Sequence, residues 1–262
     1  MISPTVHRTA YFILGFLACS SYLNAQYPRK DAQKVLEYTF LTEGGATSTA
    51  VEWIPGANMY VTAMSGGEEM PMEGFSARGR NLWTTQTDLD VRGLWYSSKK
   101  KRLEANAQGN GGWYALKMDP NGDPIGRFSK VIQGKCQPDE ETVLDGAGKL
   151  VVGLYNNKVS FYSANNGKFK YNISLALTED RDHWELNENT VCYTEVPMFP
   201  LAVLDLEGGG IVFFDFKGNY LFYTDLPDSA PLPSLGGFSF ANQMAWLFDE
   251  EKRTWTGFRV FH

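Results

Sequence analysis

The chain has 262 residues, 43% of them hydrophobic, 14% aromatic and 21% charged, with a formal net charge of −6 at pH 7. That length holds one large all-β domain or two small ones, and the aromatic share is enough to fill such an interior. The acid excess argues against a nucleic-acid partner, because neutralising phosphates needs surplus Lys and Arg. The one basic cluster, KKKR at 99–102, falls at a predicted strand turn and reads as a solvated hairpin tip.

The first 25 residues read as a signal peptide. Arg8 supplies a positive start, and 10–18 (AYFILGFLA) is an apolar core too short for a bilayer, which needs ~20 residues. Cleavage is expected after Ala25, although Leu23 is bulky for the position it takes. The run FLAC at 16–19 is similar to a bacterial lipobox, so a lipidated Cys19 is the competing reading. Either way the chain is expected to be secreted, periplasmic or at the cell surface. No transmembrane span is expected elsewhere, and a monomer is expected. Cys136 and Cys192 then remain as an even pair in an oxidising compartment, and a disulfide between them is expected. Two separate buried thiols are the alternative.

From residue 26 on, one domain is expected. Residues 34–41 (KVLEYTFL) form a strand by their β-branched and aromatic content, with no hairpin partner before them. A first unit has strands at 48–53, 58–64, 75–78 and 82–89, with 66–74 (GGEEMPMEG) as a long loop. The second has 91–96, 102–107, 113–118 and 125–132. The third has 141–144, a turn at 145–148, then 150–155, 159–163 and 169–175. The fourth has 190–195, 201–206, and the hairpin 211–226 (IVFFDFKGNYLFYTDL). The fifth has 237–241, 243–248 and 254–261, and stops one strand short.

Turn glycines at 79, 122, 167 and 218 recur roughly every 45 residues, the period of a four-stranded propeller blade. The predicted fold is therefore an all-β, five-bladed β-propeller of four-stranded antiparallel blades. The orphan strand 34–41 supplies the missing outer strand of the last blade, which closes the ring and covers a sheet edge. The segments MDPNGDPIGRF at 118–128 and FDFKGNYLFY at 214–223 resemble the Asp-x-x-Gly turn of NHL-like and related five- to six-bladed propeller repeats. The resemblance implies fold alone, since such repeats serve enzymes, adhesion modules and scaffolds. Asp and Gly suit the backbone angles of a tight hairpin.

Loops from the fourth strand of one blade to the first of the next share a face with the second-to-third loops. Ligands of such folds seat there. The most distinctive is 178–189 (TEDRDHWELNEN), where Asp180, Asp182, His183 and Glu185 offer acid/base or metal-binding groups and Trp184 a stacking platform. A solvated loop anchored by Trp184 is the plainer reading, and the spacing matches no established metal pattern. Glu52, Asp90, Glu140, Glu141 and Glu188 are acids expected near the starts of inner strands. Converging at the channel, they would suit a glycosidic bond or a calcium ion. No cofactor is required by the residues, calcium being the one ion their oxygens suit. Glu-His zinc motifs, nucleophile elbows and phosphate-binding glycine loops are absent from the sequence. The expected function is an exported, non-catalytic module binding an extracellular or periplasmic protein or glycan. The alternative is a glycan-acting hydrolase using channel carboxylates.

Overall fold

A computed structural model describes residues 31–109, 111–118, 124–134, 142–177, 185–233 and 236–261. The described residues from Asp31 onward form one compact unit. Blade one is β2 (Thr47–Ile54), β3 (Met59–Ser65), β4 (Pro71–Ser76) and β5 (Asn81–Gln86). Blade two is β6 (Val91–Ser97), β7 (Arg102–Ala107), β8 (Trp113–Met118) and β9 (Pro124–Ile132). Blade three is β10 (Leu144–Ala147), β11 (Leu150–Tyr155), β12 (Lys158–Ser163) and β13 (Phe169–Ser174). Blade four is β14 (Cys192–Tyr193), β15 (Leu201–Asp205), β16 (Gly210–Phe214) and β17 (Tyr220–Asp225). Blade five is β18 (Phe238–Ala241), β19 (Met244–Asp249), β20 (Thr254–Arg259) and β1 (Gln33–Thr39).

Every pairing within the blades is antiparallel. The innermost strands neighbour one another in the cyclic order β2, β6, β10, β14, β18 and back to β2. The five-bladed ring expected from the repeat is thus the observed fold. So is its closure: β1 pairs with β20, with Glu37 opposite Thr256 and Tyr38 opposite Trp255.

Each seam between blades holds one apolar cluster. Val61, Met72, Leu94 and Leu103 fill the first, and Trp95, Trp113 and Leu144 the second. Phe161, Val203 and Phe214 fill the third, Phe213, Phe238 and Phe258 the fourth, and Tyr60, Phe75, Trp246 and Trp255 the closing one. Fully burying one such side chain stabilises by roughly 1.5–3 kcal/mol. Without a neighbouring sheet these faces would lie open, so a single blade is not a stable unit.

The repeating turn glycines have two reasons to be glycine. Gly79 and Gly218 sit at φ of 74° and 86°. A Cβ on Gly79 would lie 2.7 Å from the Glu37 carbonyl oxygen of the preceding blade. One on Gly218 would lie 2.2 Å from that of Ser174. The turn therefore needs both the left-handed backbone and the bare approach. Asp215 completes the Gly218 turn: its carboxylate accepts the Lys217 and Asn219 N–H groups at 2.8 and 2.9 Å.

Two expected boundaries move. Strand β4 begins at Pro71, not at 75, so the first long loop is only 66–70. Pro is tolerated there because it opens the strand. Residues 145–147 belong to β10 rather than to a turn; Ala147 pairs with Leu150 around Gly148-Lys149. That change brings Asp145 onto an innermost strand.

Candidate functional site

Asp145 lies two residues before the end of its hairpin strand. By register, the same place is held by Glu52 in blade one and Ser239 in blade five. All three reach across a seam to the backbone of the following blade. The Glu52 carboxylate accepts the Tyr96 N–H as well as that of Trp53. Asp145 accepts the Tyr193 N–H at 2.7 Å and the Gly146 N–H at 2.6 Å. The Ser239 hydroxyl donates to the Val51 carbonyl at 2.7 Å. Around the remaining two seams, the Cys192 thiol donates to the Phe238 carbonyl, and Asn106 of β7 brackets 142–144 with its amide. These bonds stitch the ring near its axis.

Glu195 follows β14 and completes an acidic group with Glu52 and Asp145. Burial pushes the Asp145 carboxyl up to about 7, with Glu195 adding to the rise and the two N–H bonds opposing it. Burial raises Glu52 well above the usual carboxylate range, helped by the charges of Asp145 and Glu195. Glu195 is raised by burial as well. Three carboxyls with raised affinity for protons, acting on one another, make a proton-retaining cluster. Two other acids bring their own cations. Buried Glu104 holds Lys100 and Arg102 at 2.9 and 2.6 Å, and Asp90 holds Arg92 at 3.1 Å. Among the described residues Glu52, Asp145 and Glu195 form no ion pair, and no group of three or more His, Cys, Asp or Glu has the spacing to hold a metal.

The other sequence-predicted residues fall apart from this cluster. Glu52 sits late on β2 rather than at its start, so it approaches the face of the first-to-second turns. Asp90 lies at the opposite end, where its carboxylate accepts the Gly66 N–H at 3.1 Å. Arg92 also donates to Gln108 there. Glu185 lies on the same face as Asp90. It lines a cleft of about 240 Å³ with Asn157, Leu175, Leu177, Leu186 and Glu188. Its backbone N–H reaches the Asp205 carboxylate at 3.3 Å. Glu140, Glu141, Asp180, Asp182, His183 and Trp184 lie outside the described residues.

Cys192 bears on the cysteine expectations. It is a free, buried thiol on β14, directed at the backbone of blade five. The expected disulfide is not shown: the other half of that pair, Cys136, lies outside the described residues.

Asp145 and Glu195 were not singled out from the sequence. DGAG at 145–148 carries every mark of a turn, and Glu195 follows a strand only two residues long. The available signal was the matched position of Glu52 and Asp145 relative to their hairpins. No protein-family model matches the chain, and neither does any curated protein.

Proposed function

We propose that this chain is an exported, non-catalytic binding module whose ligand, an extracellular or periplasmic protein or glycan, seats on the face of the fourth-to-first connections. One observation carries the reading: Leu175, Leu177 and Leu186 line an open cleft there whose polar edge is Asn157, Glu185 and Glu188. A cleft lined by three leucines and three polar side chains suits recognition. Leu177 and Glu185 of this lining flank in sequence the segment 178–184, which carries His183 and Trp184 and lies outside the described residues. Export rests on the leader-like first 25 residues.

The hydrolase alternative meets a physical objection. A glycosidase pairs a protonated acid with an ionised carboxylate. Here burial raises Glu52, Asp145 and Glu195 together, so the surroundings do not set one apart as the acid and another as the ionised partner.

The test is capture from extracellular or periplasmic extract with the intact chain, beside Leu177→Asp and Trp184→Ala. Both variants should lose the retained partner while melting within about 2 °C of the parent. Equal retention by all three would remove the cleft from the site. Turnover on a broad glycan panel that vanishes in Asp145→Asn would replace the binding reading by the enzymatic one.

A further inference from the structure

On the face opposite that cleft, a row of aromatic side chains leads to the carboxylates that lack cations. Asp145, Val152, Phe161 and Tyr171 stand opposite one another across the four strands of blade three, from the axis to the rim. All four therefore point the same way, toward blade four. Tyr171 stacks on Phe161 with centroids 4.5 Å apart, and Phe216 meets Phe161 at 6.1 Å. Phe216 lies 6.3 Å from Tyr193 with the two rings 26° from parallel. Tyr193 adjoins the acids directly, since its backbone N–H bonds Asp145 and its hydroxyl feels the charges of Glu195 and Asp145. Phe161 and Val152 are buried in the seam, Tyr193 is half-buried, and Tyr171 and Phe216 reach solvent at 41% and 38% exposure.

We propose that this row is a docking site for a basic polypeptide segment, whose Lys or Arg stem lies on Tyr171, Phe216 and Tyr193 and whose charge seats at Asp145 and Glu195. The choice of occupant follows from charge complementarity. Every charge acting on Glu52 and Asp145 is that of another carboxylate. Glu104 and Asp90, by contrast, are neutralised from within the chain. A partly desolvated negative field beside aromatic faces favours an ammonium or guanidinium twice, through ion pairing and through the ring quadrupole. A long basic side chain can also cover apolar rings with its methylenes while delivering its charge inward. A neutral glycan would use the rings and leave the acids unpaired. This site is separate from the Leu177 cleft, so either can fail alone.

The experiment is calorimetric titration of the intact protein with an N-acetylated tetralysine peptide at low ionic strength. The same peptide with every side-chain amine acetylated serves as the uncharged control. The parent should bind the charged peptide, and the acetylated one about tenfold or more weakly. Glu195→Gln, which removes a charge that bonds nothing else among the described residues, should weaken binding about tenfold. Phe216→Ala, at a half-exposed ring, should weaken it several-fold. Glu250→Gln on the other face and Leu177→Asp should leave it unchanged, and melting curves check that each variant is folded. No binding, equal binding by the parent and both site variants, or equal binding of the two peptides would overturn the proposal. A neutral oligosaccharide that binds in place of the peptide and is lost in Phe216→Ala would overturn it too.

Discussion

Two carboxylates of this ring, Glu73 buried and Asp145 half-buried, are treated in opposite ways. Glu73, on β4 beside the closing strand, is surrounded by donors. Its oxygens accept the Tyr38 hydroxyl, the Leu41 and Thr42 N–H groups at 3.2 and 3.1 Å, the Thr42 hydroxyl at 2.6 Å and the Asn81 amide at 3.3 Å. Asp145, near the axis, has two N–H donors and a carboxylate neighbour. Glu73 ties together the chain's first strand, the loop after it and blade one, so its charge serves the architecture. Asp145 stitches one seam and retains an unspent demand for a proton or a cation. A carboxylate fully surrounded by donors is a structural bolt; one left short of them is where a ligand or a pH response is to be sought.

The largest effect is expected at the bolt. Glu73→Ala removes the shared acceptor of five donors, the Tyr38 hydroxyl in a buried contact and the other four in part-buried ones, and an unpaired buried group costs about 1–3 kcal/mol before relaxation. Loss of about 3 kcal/mol or more is expected in denaturant unfolding, with the slope against denaturant unchanged. A loss below about 1 kcal/mol would mean that the closing strand is held by Trp255 and Phe75 packing instead, and that the two acids differ less than their donors suggest.

At the axis the expected effect is smaller and depends on pH. The folded Asp145 carboxyl holds its proton up to about 7, whereas an unfolded Asp releases it near ~3.9. The folded state therefore binds more protons across that interval, and its stability falls as pH rises. This contribution is complete below about pH 4 and is lost by the time the pH has passed through about 7. Glu52 and Glu195 act in the same direction. Melting temperature should accordingly fall between pH 5 and pH 8, opposite to the usual behaviour of ion-paired acids. Asp145→Asn keeps an acceptor for the Tyr193 N–H and removes the charge. It should flatten the slope and melt above the parent at pH 8. A parent whose melting temperature rises over that interval would show that the cluster is ionised and compensated.

The same contrast explains what could be read from residues alone. The ring, its five blades and the closing strand were legible because hydrophobic alternation and turn glycines are local signals. Gly79 and Gly218 report both a backbone angle and a neighbour's carbonyl at close range. The axial acids were not legible in that way. Asp145 sits in a string that reads as a turn, and what distinguishes it is the blade across the seam. Glu52 was recognised as a candidate, but the end of the channel it serves depends on strand register rather than on its neighbours in sequence. The connection 178–189 stood out by its length and polar content, and of its candidate residues only Glu185 falls among the described ones, where it lines the cleft with Leu177.

The smallest effect separates the two readings of the cysteines. Cys192 is buried, and its thiol points at the Phe238 carbonyl at 3.4 Å. Burial, with Asp145 and Glu52 nearby, pushes its pKa well above the ordinary thiol range. A protonated, shielded thiol is unreactive. Cys192→Ser preserves a donor at the same place and should cost no more than about 1 kcal/mol. In a Cys136→Ala background, a thiol reagent should fail to modify Cys192 in the native protein and should label it fully in denaturant. A reductant should leave the melting temperature of the unsubstituted chain unchanged. A fall of several degrees with reductant would establish a cross-link through Cys192, because a disulfide closing a loop of that length stabilises by roughly 2–4 kcal/mol. A cross-link to Cys136 would tie β14 to the connection between β9 and β10, and the seam between blades four and five would lose its thiol bond and rest on packing such as that of Phe213 and Phe238.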